Sequence, residues 1–573
     1  MSIDIRKELA KKLAPYFETT EDRLYSLLEV PPRLDFGDFA VPCFSFASSL
    51  KKDPSTIASL IEDKVNRALL EGAGIIKKVV TSGPYLNIFI DRAFFIRNMV
   101  LELIKNDFKD LRSIGSGKTV IIDFSSPNIA KPFGIGHLRS TVIGNSLKKI
   151  YSFLGYRVVG INHLGDWGTQ FGKLITAIKR WGSEDELENA EDPVEYLYRI
   201  YVKFHSEAEK NPSLEDEARL WFKKLEIGDE EARRLWERFK NMSIDEFKRI
   251  YRRLGVEFEY YTGESFYSSM LDETIDFIKS KGITEVSDGA LIVSFDDPGI
   301  SPALLRKSDG TTLYITRDIA AAMYRFKTFN FDLALYVVGS PQTLHFKQLF
   351  KILELMGLEW YTCCHHIPFG QIRFVGGAMS TRRGNIIFLE DVLNRAVELA
   401  IRIIDEKNPS LEEKRSVAES VGIGSIIFND LKNYRIKDIN FNWDEIINFD
   451  GETGPYLQYT HARSCSLLKR YVDQYGNLEF DPGLDFGEEG YGLCLILNEF
   501  ETTLLKSAEE FEPSIISRYL LDLASRFNGF YNAYRVISED RELSRSRALI
   551  VACVKKVLKI GLELLGIEAL EKM

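Results

Sequence analysis

A chain of 573 residues exceeds what one hydrophobic core supports, because cores stop growing beyond about 250–300 residues, so two to four domains are expected. Hydrophobic residues make up 45% and charged residues 28% of it, the balance of a globular protein, and no stretch approaches the roughly 20 apolar residues that span a bilayer, so no membrane partner is expected. The net charge of −10 excludes a general attraction to polyanions, and a nucleic-acid partner has to be met by local basic patches.

The chain opens with "MSIDIRKELAKKLAPYF", charged and amphipathic without the apolar core of a signal peptide, and a cytoplasmic location is the expectation. Residues 1–115 read as a small α+β domain. It runs through helical "IRKELAKKLAPYF", the loop "PPRLDFGDFA", helical "DPSTIASLIEDKVNRALLEG" and the alternating strand "YLNIFID". In that strand Tyr85 and Asn87 alternate with Leu86 and Ile88, which predicts that the two polar residues share an exposed face.

From "KTVIIDFSSPN" the pattern changes to short apolar strands, each followed by a helix. Residues 119–124 precede a helix starting near Gly136, "RVVGINHLGDWG" precedes "TQFGKLITAIKRW", and "LALYVVGSPQ" precedes "HFKQLFKILELMG". Such βα units predict a doubly wound parallel sheet over residues 116–438, with ligands at the carboxyl ends of its strands. A charged helical insertion over about 180–298 interrupts the sheet. From residue 439 to 573, apolar positions three and four apart in "GPYLQYTHARSCSLLKRYV" and "RSRALIVACVKKVLKIGLELLGI" predict an all-α bundle. The six cysteines include no C-x-x-C pair, and the adjacent "CCHH" at 363–366 is too closely spaced for a structural zinc site, so no zinc is expected.

The turn "AKPFGIGHLRS", residues 130–140, joins an apolar strand to a helix N-terminus, where unpaired N–H groups and the positive dipole end attract an anion. Gly136 allows close approach of a nucleotide, His137 offers a phosphate donor, and Lys131 and Arg139 add positive charge. The combination reads as an ATP site. "GGAMSTRRG", residues 376–384, is a glycine-hinged loop whose cations could close over a triphosphate. In "NHLGDWGTQFG", His163, Asp166, Trp167 and Gln170 stand at the end of the second strand, where ligand contacts are expected.

Taken together these segments resemble a class I aminoacyl-tRNA synthetase, specifically the arginyl-tRNA synthetase family. "SSPNIAKPFGIGHLRST" resembles that family's form of the HIGH signature, "NHLGDWGTQFG" a segment peculiar to arginyl members, and "AMSTRRGN" a degenerate KMSKS loop. "KSDGTTLYITRDIAAA", "GPYLQYTHAR", "FNGFYNAYRVI" and the ending "LLGIEALEKM" are similar as well. The resemblance implies a Rossmann-type catalytic domain, an N-terminal domain that contacts the tRNA elbow and a C-terminal anticodon-binding bundle. It implies arginine binding at Asp123, Ser126, Asn128, Tyr314, Asp318 and Gln342. A guanidinium is a permanently charged planar fork best held by a carboxylate, which suits Asp318 and Asp123. ATP binding is implied at Gly134, Gly136, His137, His345, Met379 and Ser380, and catalytic contacts at Lys131, Gly136, His137 and Arg382. Contacts with tRNA are implied at Ser82, Tyr85 and Asn87 for the D-loop and at Tyr456, Tyr459 and Arg463 for the anticodon. Tyr456 and Tyr459, three apart, share a helix face suited to stacking on bases.

The implied reaction joins L-arginine to its tRNA through an arginyl-adenylate, with magnesium carried on the phosphates of ATP. It further implies tRNA-dependent activation, the 2′-hydroxyl as acceptor, no editing domain and a monomer. Two departures stand out. Gly134 occupies the position where the HIGH motif usually begins with histidine, an electrostatic contact of the kind worth about 2.7–4 kcal/mol. "AMSTR" lacks both lysines of KMSKS, and Lys131 stands where arginyl enzymes with that loss carry a lysine. Two alternatives remain at this point. A cysteinyl enzyme is disfavoured by the lack of zinc-spaced ligands, and the larger aliphatic types need a longer chain. A catalytically weak tRNA-binding relative draws support from Gly134 and is opposed by the intact Asp123, Asn128, Tyr314, Asp318 and Gln342 set.

Overall fold

The computed structural model describes residues 4–69, 74–374, 387–446, 448, 451–481 and 483–573. In the N-terminal region β1 (Phe39–Pro42), β2 (Ile76–Ser82) and β3 (Tyr85–Ile90) form an antiparallel sheet of order β1-β3-β2. The helix Pro54–Leu69 lies against it, burying Ile57, Ile61 and Val65. β3 is the central strand, which corrects one expectation. Asn87 pairs with Ala40 on one side and Val80 on the other and is only 6% exposed, so it does not share an open polar face with Tyr85, which is 37% exposed.

β4 (Thr119–Asp123) and β5 (Arg157–Asn162) begin the second region and are followed by the helices of the insertion. β6 (Tyr260–Tyr261) comes next, then an antiparallel sheet of β7 (Glu285–Ser287), β8 (Ala290–Val293) and β9 (Ala303–Arg306). β10 (Leu333–Tyr336) and β11 (Cys364–His366) complete a parallel sheet of order β11-β10-β4-β5-β6 among the described residues. All five residues of β4 are buried, as expected of a parallel strand covered on both faces. Val120 and Ile122 point into a core shared with Leu138, Val142 and Leu147, while Ile121 joins Val159, Ile161, Ile315, Ile319, Leu349 and Leu353 on the other face. The two-residue alternation of a strand is thus used to build one core on each side of the sheet.

The helix Leu138–Phe153 approaches β4 closely because Gly144 has no side chain: a Cβ there would stand 2.3 Å from Phe124. Further along, the same helix meets the chain's C-terminal part. Ser146 Oγ donates to the carbonyl of Leu564 at 2.9 Å and Tyr151 Oη to that of Ala508 at 2.9 Å. Arg139 belongs to this joint and not to the phosphate site that its position in the sequence implied. It is 1% exposed, pairs with Asp430 at 3.1 Å and donates to the carbonyls of Gly370 and Lys437 at 2.9 and 2.8 Å.

β12 (Ile372–Phe374) pairs in parallel with β13 (Ile439–Phe441). Beyond them the helix Gly454–Tyr475 is capped by the Thr453 hydroxyl and has proline in its first turn. It packs against the helices Lys414–Leu431 and Arg541–Leu564. No helix among the described residues is long and apolar enough to cross a membrane.

Candidate active site

The backbone at the end of β4 is strained. Ser125, Ser126 and Ala130 have φ of 71°, 49° and 57°, a left-handed conformation that costs non-glycine residues about 1–3 kcal/mol each and persists where surrounding contacts enforce it. A hydroxyl network does so here. Ser125 N–H donates to Ser140 Oγ, Ser140 Oγ–H to the Val337 carbonyl, and Ala130 N–H to Ser243 Oγ, at 2.8, 2.6 and 2.8 Å. Ser125 Oγ lies 2.7 Å from Tyr251 Oη, which also accepts from Asn162. The turn brings Ser126 Oγ to Asp123 Oδ1 at 3.0 Å. Asn128 is exposed and forms a parallel bridge with Gly165, where a Cβ would stand 2.1 Å from its amide oxygen.

Gly134 is extended, with φ −80° and ψ 159°, ahead of a single 3-10 turn that leads into the helix Leu138–Phe153. Its segment is stitched to residues 387–389: Ile135 N–H donates to Ile387 and Leu389 N–H to Phe133, at 3.1 and 2.9 Å. Gly136 is exposed. The His137 imidazole is held neutral, its pKa pushed down to about 4 chiefly by burial, with the Lys131 charge adding to the effect. Its Nδ1 is buried without a hydrogen-bond partner, so a donor or acceptor remains available to a ligand. The pH dependence follows. Unfolded, this histidine takes a proton near 6.5; folded, it does not until about pH 4, so the unfolded state binds more protons between those values. Its contribution to stability is therefore complete above pH 6.5 and lost as the pH falls toward 4, and His137→Asn should flatten that part of a urea-midpoint titration. Lys131 lies over the Tyr201 ring at 5.5 Å.

Tyr314 and Asp318, four apart, share one face of the helix Tyr314–Phe329. Tyr314 is 64% exposed. Asp318 Oδ2 accepts from His345 Nε2 at 2.6 Å, and His163 Nε2 stands 3.6 Å from Oδ1. Burial alone would raise this carboxyl, but the His345 hydrogen bond and the charges of His163, His345 and Arg325 outweigh it and hold the pKa below the usual carboxylate range. Gln342 is exposed at the start of the helix Thr343–Leu355, one turn before His345.

Two charged residues here were not anticipated from the sequence. Arg325 is 1% exposed and pairs with Asp123 at 2.8 Å, so the Asp123 carboxylate already holds an internal cation. Glu264, just beyond β6, lies 3.3 Å from Arg317, close enough to raise the Tyr314 pKa and to be raised itself by Asp318. Burial raises its pKa to about 8, with Arg317 opposing and Asp318 adding to the rise. Asp166 takes a different place from the one expected at a ligand-facing strand end. It is fully buried, bound by Lys240 at 2.6 Å and by the backbone and hydroxyl of Ser265 at 2.8 and 2.6 Å. It fastens the insertion to the sheet, and Trp167 packs on Phe222 and Trp236. Met379, Ser380 and Arg382 lie outside the described residues.

On the RNA-facing expectations, Ser82 and Tyr85 are exposed, and Tyr85 meets the exposed Phe44 edge-on with ring centroids 5.8 Å apart. In the C-terminal helices Arg463 lies over the rings of Tyr459 and Tyr531, at 4.7 and 5.2 Å. It also donates to Asn528, which in turn donates to Tyr456 Oη at 2.8 Å. Tyr459 and Tyr531 keep 40% and 36% of their surface exposed.

Three family models match the chain in order. "Arginyl tRNA synthetase N terminal domain" matches residues 4–90, "tRNA synthetases class I (R), catalytic domain" residues 99–443, and "DALR anticodon binding domain" residues 457–573. The chain is 48% identical over 573 residues to the arginine–tRNA ligase of Halothermothrix orenii and 46% identical over 573 residues to that of Clostridium botulinum, with 100% of each sequence covered. Among solved structures, the arginyl-tRNA synthetase of Thermus thermophilus superposes with a TM-score of 0.77 at 25% identity, over 99% of this chain and 100% of that one. Carboxylates gathered at the carboxyl edge of a parallel sheet, followed by a helical C-terminal region, agree with these matches: the chain belongs to the arginyl-tRNA synthetase family and acts as an arginine–tRNA ligase.

Proposed function

We propose that the reaction runs in two steps in one cleft. The arginine carboxylate attacks the α-phosphate of ATP and releases pyrophosphate; a ribose hydroxyl at the 3′ end of arginine tRNA then takes the arginyl group and releases AMP. The observation that carries this reading is Asp318, a partly buried carboxylate kept ionised, one helical turn from an exposed tyrosine and bonded to His345. Asp318 receives the substrate guanidinium, flanked by Tyr314 and Glu264. Ser126, Asn128 and Gln342 hold the α-amino and carboxylate ends, with Asp123 acting through its pair with Arg325. His137, Gly136, Lys131 and the N–H groups at the helix start receive the phosphates, joined by His345, Met379, Ser380 and Arg382. Gly134 contributes no side chain, which leaves that duty to Lys131 and His137. The Lys131 ammonium and the amide N–H groups suit an anion, and magnesium, when bound, would be held through the phosphate oxygens of ATP, where it would neutralise charge. The chain's own part is positioning and charge stabilisation.

Residues 1–115, with Ser82 and Tyr85, meet the tRNA elbow; residues 116–438 do the chemistry; residues 439–573, with Tyr456 and Tyr459, read the anticodon. Arg463 holds the tyrosine rings in place. The enzyme works as a cytoplasmic monomer. Arginine-dependent exchange of pyrophosphate into ATP tests the scheme. Exchange that appears only with arginine tRNA supports it, and absence of exchange with tRNA still bound overturns it.

Glu264 adds a pH signature. Mostly protonated at neutral pH before substrate arrives, it loses its proton when a guanidinium comes close, so the KM for arginine should fall as the pH rises through about 8. Calorimetry in buffers of different ionisation enthalpy should show proton release on arginine binding, and Glu264→Gln should abolish it.

A further inference from the structure

Five charged or polar groups from four elements stand in a line whose widest step, His163 to Asp318, is 3.6 Å: Asp123 at the end of β4, Arg325, His163 just past β5, Asp318, and His345. Arg325 donates through one terminal nitrogen to Asp123 at 2.8 Å and through the other to His163 Nδ1 at 3.4 Å, and its guanidinium lies over the Tyr336 ring at 5.6 Å. The far end closes with His163 Nε2 at 3.6 Å from Asp318 Oδ1 and His345 Nε2 donating to Oδ2 at 2.6 Å.

The order of donors and acceptors in this line is forced. A guanidinium is always charged and has no acceptor, so the nitrogen of His163 that faces Arg325 has to present its lone pair. That leaves an N–H on Nε2, toward Asp318. With the ring leaning on Tyr267, 5.7 Å between centroids, His163 cannot turn to offer the other nitrogen without losing both contacts.

We infer that Arg325 and His163 are positioning residues for arginine recognition: Arg325 neutralises Asp123 and fixes the tautomer of His163, whose Nε2–H orients Asp318 toward the substrate guanidinium. Asp318 is thereby left to face the incoming cation, because Asp123 is occupied within the protein. This inference rests on the assignment of Asp318 to the substrate guanidinium.

The test is steady-state aminoacylation by the full chain with arginine tRNA, with KM for arginine and for ATP measured separately and thermal unfolding recorded for each variant. His163→Leu is expected to raise the KM for arginine roughly tenfold, the scale of effect when a contact that aims a binding group is lost, with the KM for ATP and the unfolding temperature little changed. His163→Gln, which retains an N–H at the Nε2 position, should recover most of that loss. Arg325→Lys, a compact ammonium without the fork, should move the KM in the same direction as His163→Leu. Asp318→Asn separates the two layers of the argument. If it raises the KM for arginine while His163→Leu and Arg325→Lys do not, the inference is overturned and the assignment of Asp318 stands. If Asp318→Asn leaves that KM unchanged, the assignment fails and the inference with it. A His163→Leu effect that falls equally on both substrates, or that tracks a drop in unfolding temperature, marks a structural role and also overturns the inference.

Discussion

Asp318→Asn should lower kcat/KM for arginine by roughly thirtyfold to several thousandfold, the equivalent of about 2–5 kcal/mol for removing one partner of a buried, hydrogen-bonded charge pair. The side chain keeps its shape, and the amide oxygen can still accept from His345, so the fold should persist. What disappears is the negative charge that compensates a guanidinium leaving water. The loss should therefore appear mainly in the KM for arginine. Discrimination against citrulline, which has nearly the same shape without the charge, should shrink by a comparable factor. Equal losses on arginine and ATP, or unchanged discrimination, would refute the assignment.

A second large effect concerns stability. Arg139→Met should destabilise the joint between the catalytic sheet and the C-terminal helices by about 3–5 kcal/mol, because it leaves a buried carboxylate uncompensated. Asp430 is 3% exposed, and burial already raises its pKa, with Arg139 the main opposing influence. The carbonyls of Gly370 and Lys437 lose their donor as well. In the variant the Asp430 carboxyl rises further, so the deficit should be largest at neutral pH and shrink as acid protonates it. Arg139→Met combined with Asp430→Leu should regain much of the stability, since two apolar side chains replace a buried ion pair at little net cost. If urea midpoints of the single and double variants coincide, the pair does not hold this joint.

β4, β5 and β10 were legible because each is a short apolar run ahead of a helical period, and that pattern survives without knowledge of partners. Tyr314 and Asp318 were named from the family resemblance and not from periodicity, and the structure sets them four apart on one helix face. β6 was not legible: two residues carry no periodicity, so the edge of the sheet and Glu264 beyond it were hidden inside the helical insertion. Arg325 left a faint trace, a cation seven residues after Asp318 beside the apolar stripe of Ile315, Ile319 and Ala322. Its partner across the sheet could not be read locally. Arg139 shows the limit most clearly, because its carboxylate lies 291 residues away, and a cation two places after His137 looks like a phosphate ligand until the tertiary fold turns it inward. Asn87 failed through strand position, because alternation gives the face but does not tell a central strand from an edge.

The helix that starts at His137 works as a lever. Its 16 residues make a rod about 24 Å long, with the phosphate-facing turn at one end and the Leu564 and Ala508 carbonyls gripping it further along. Tilting such a rod by about 5° swings its tip by about 2 Å, beyond the roughly 1 Å misplacement that can change a rate about a hundredfold. Under the proposed function, an anticodon seated against the C-terminal helices would have a mechanical route to the phosphate-facing turn.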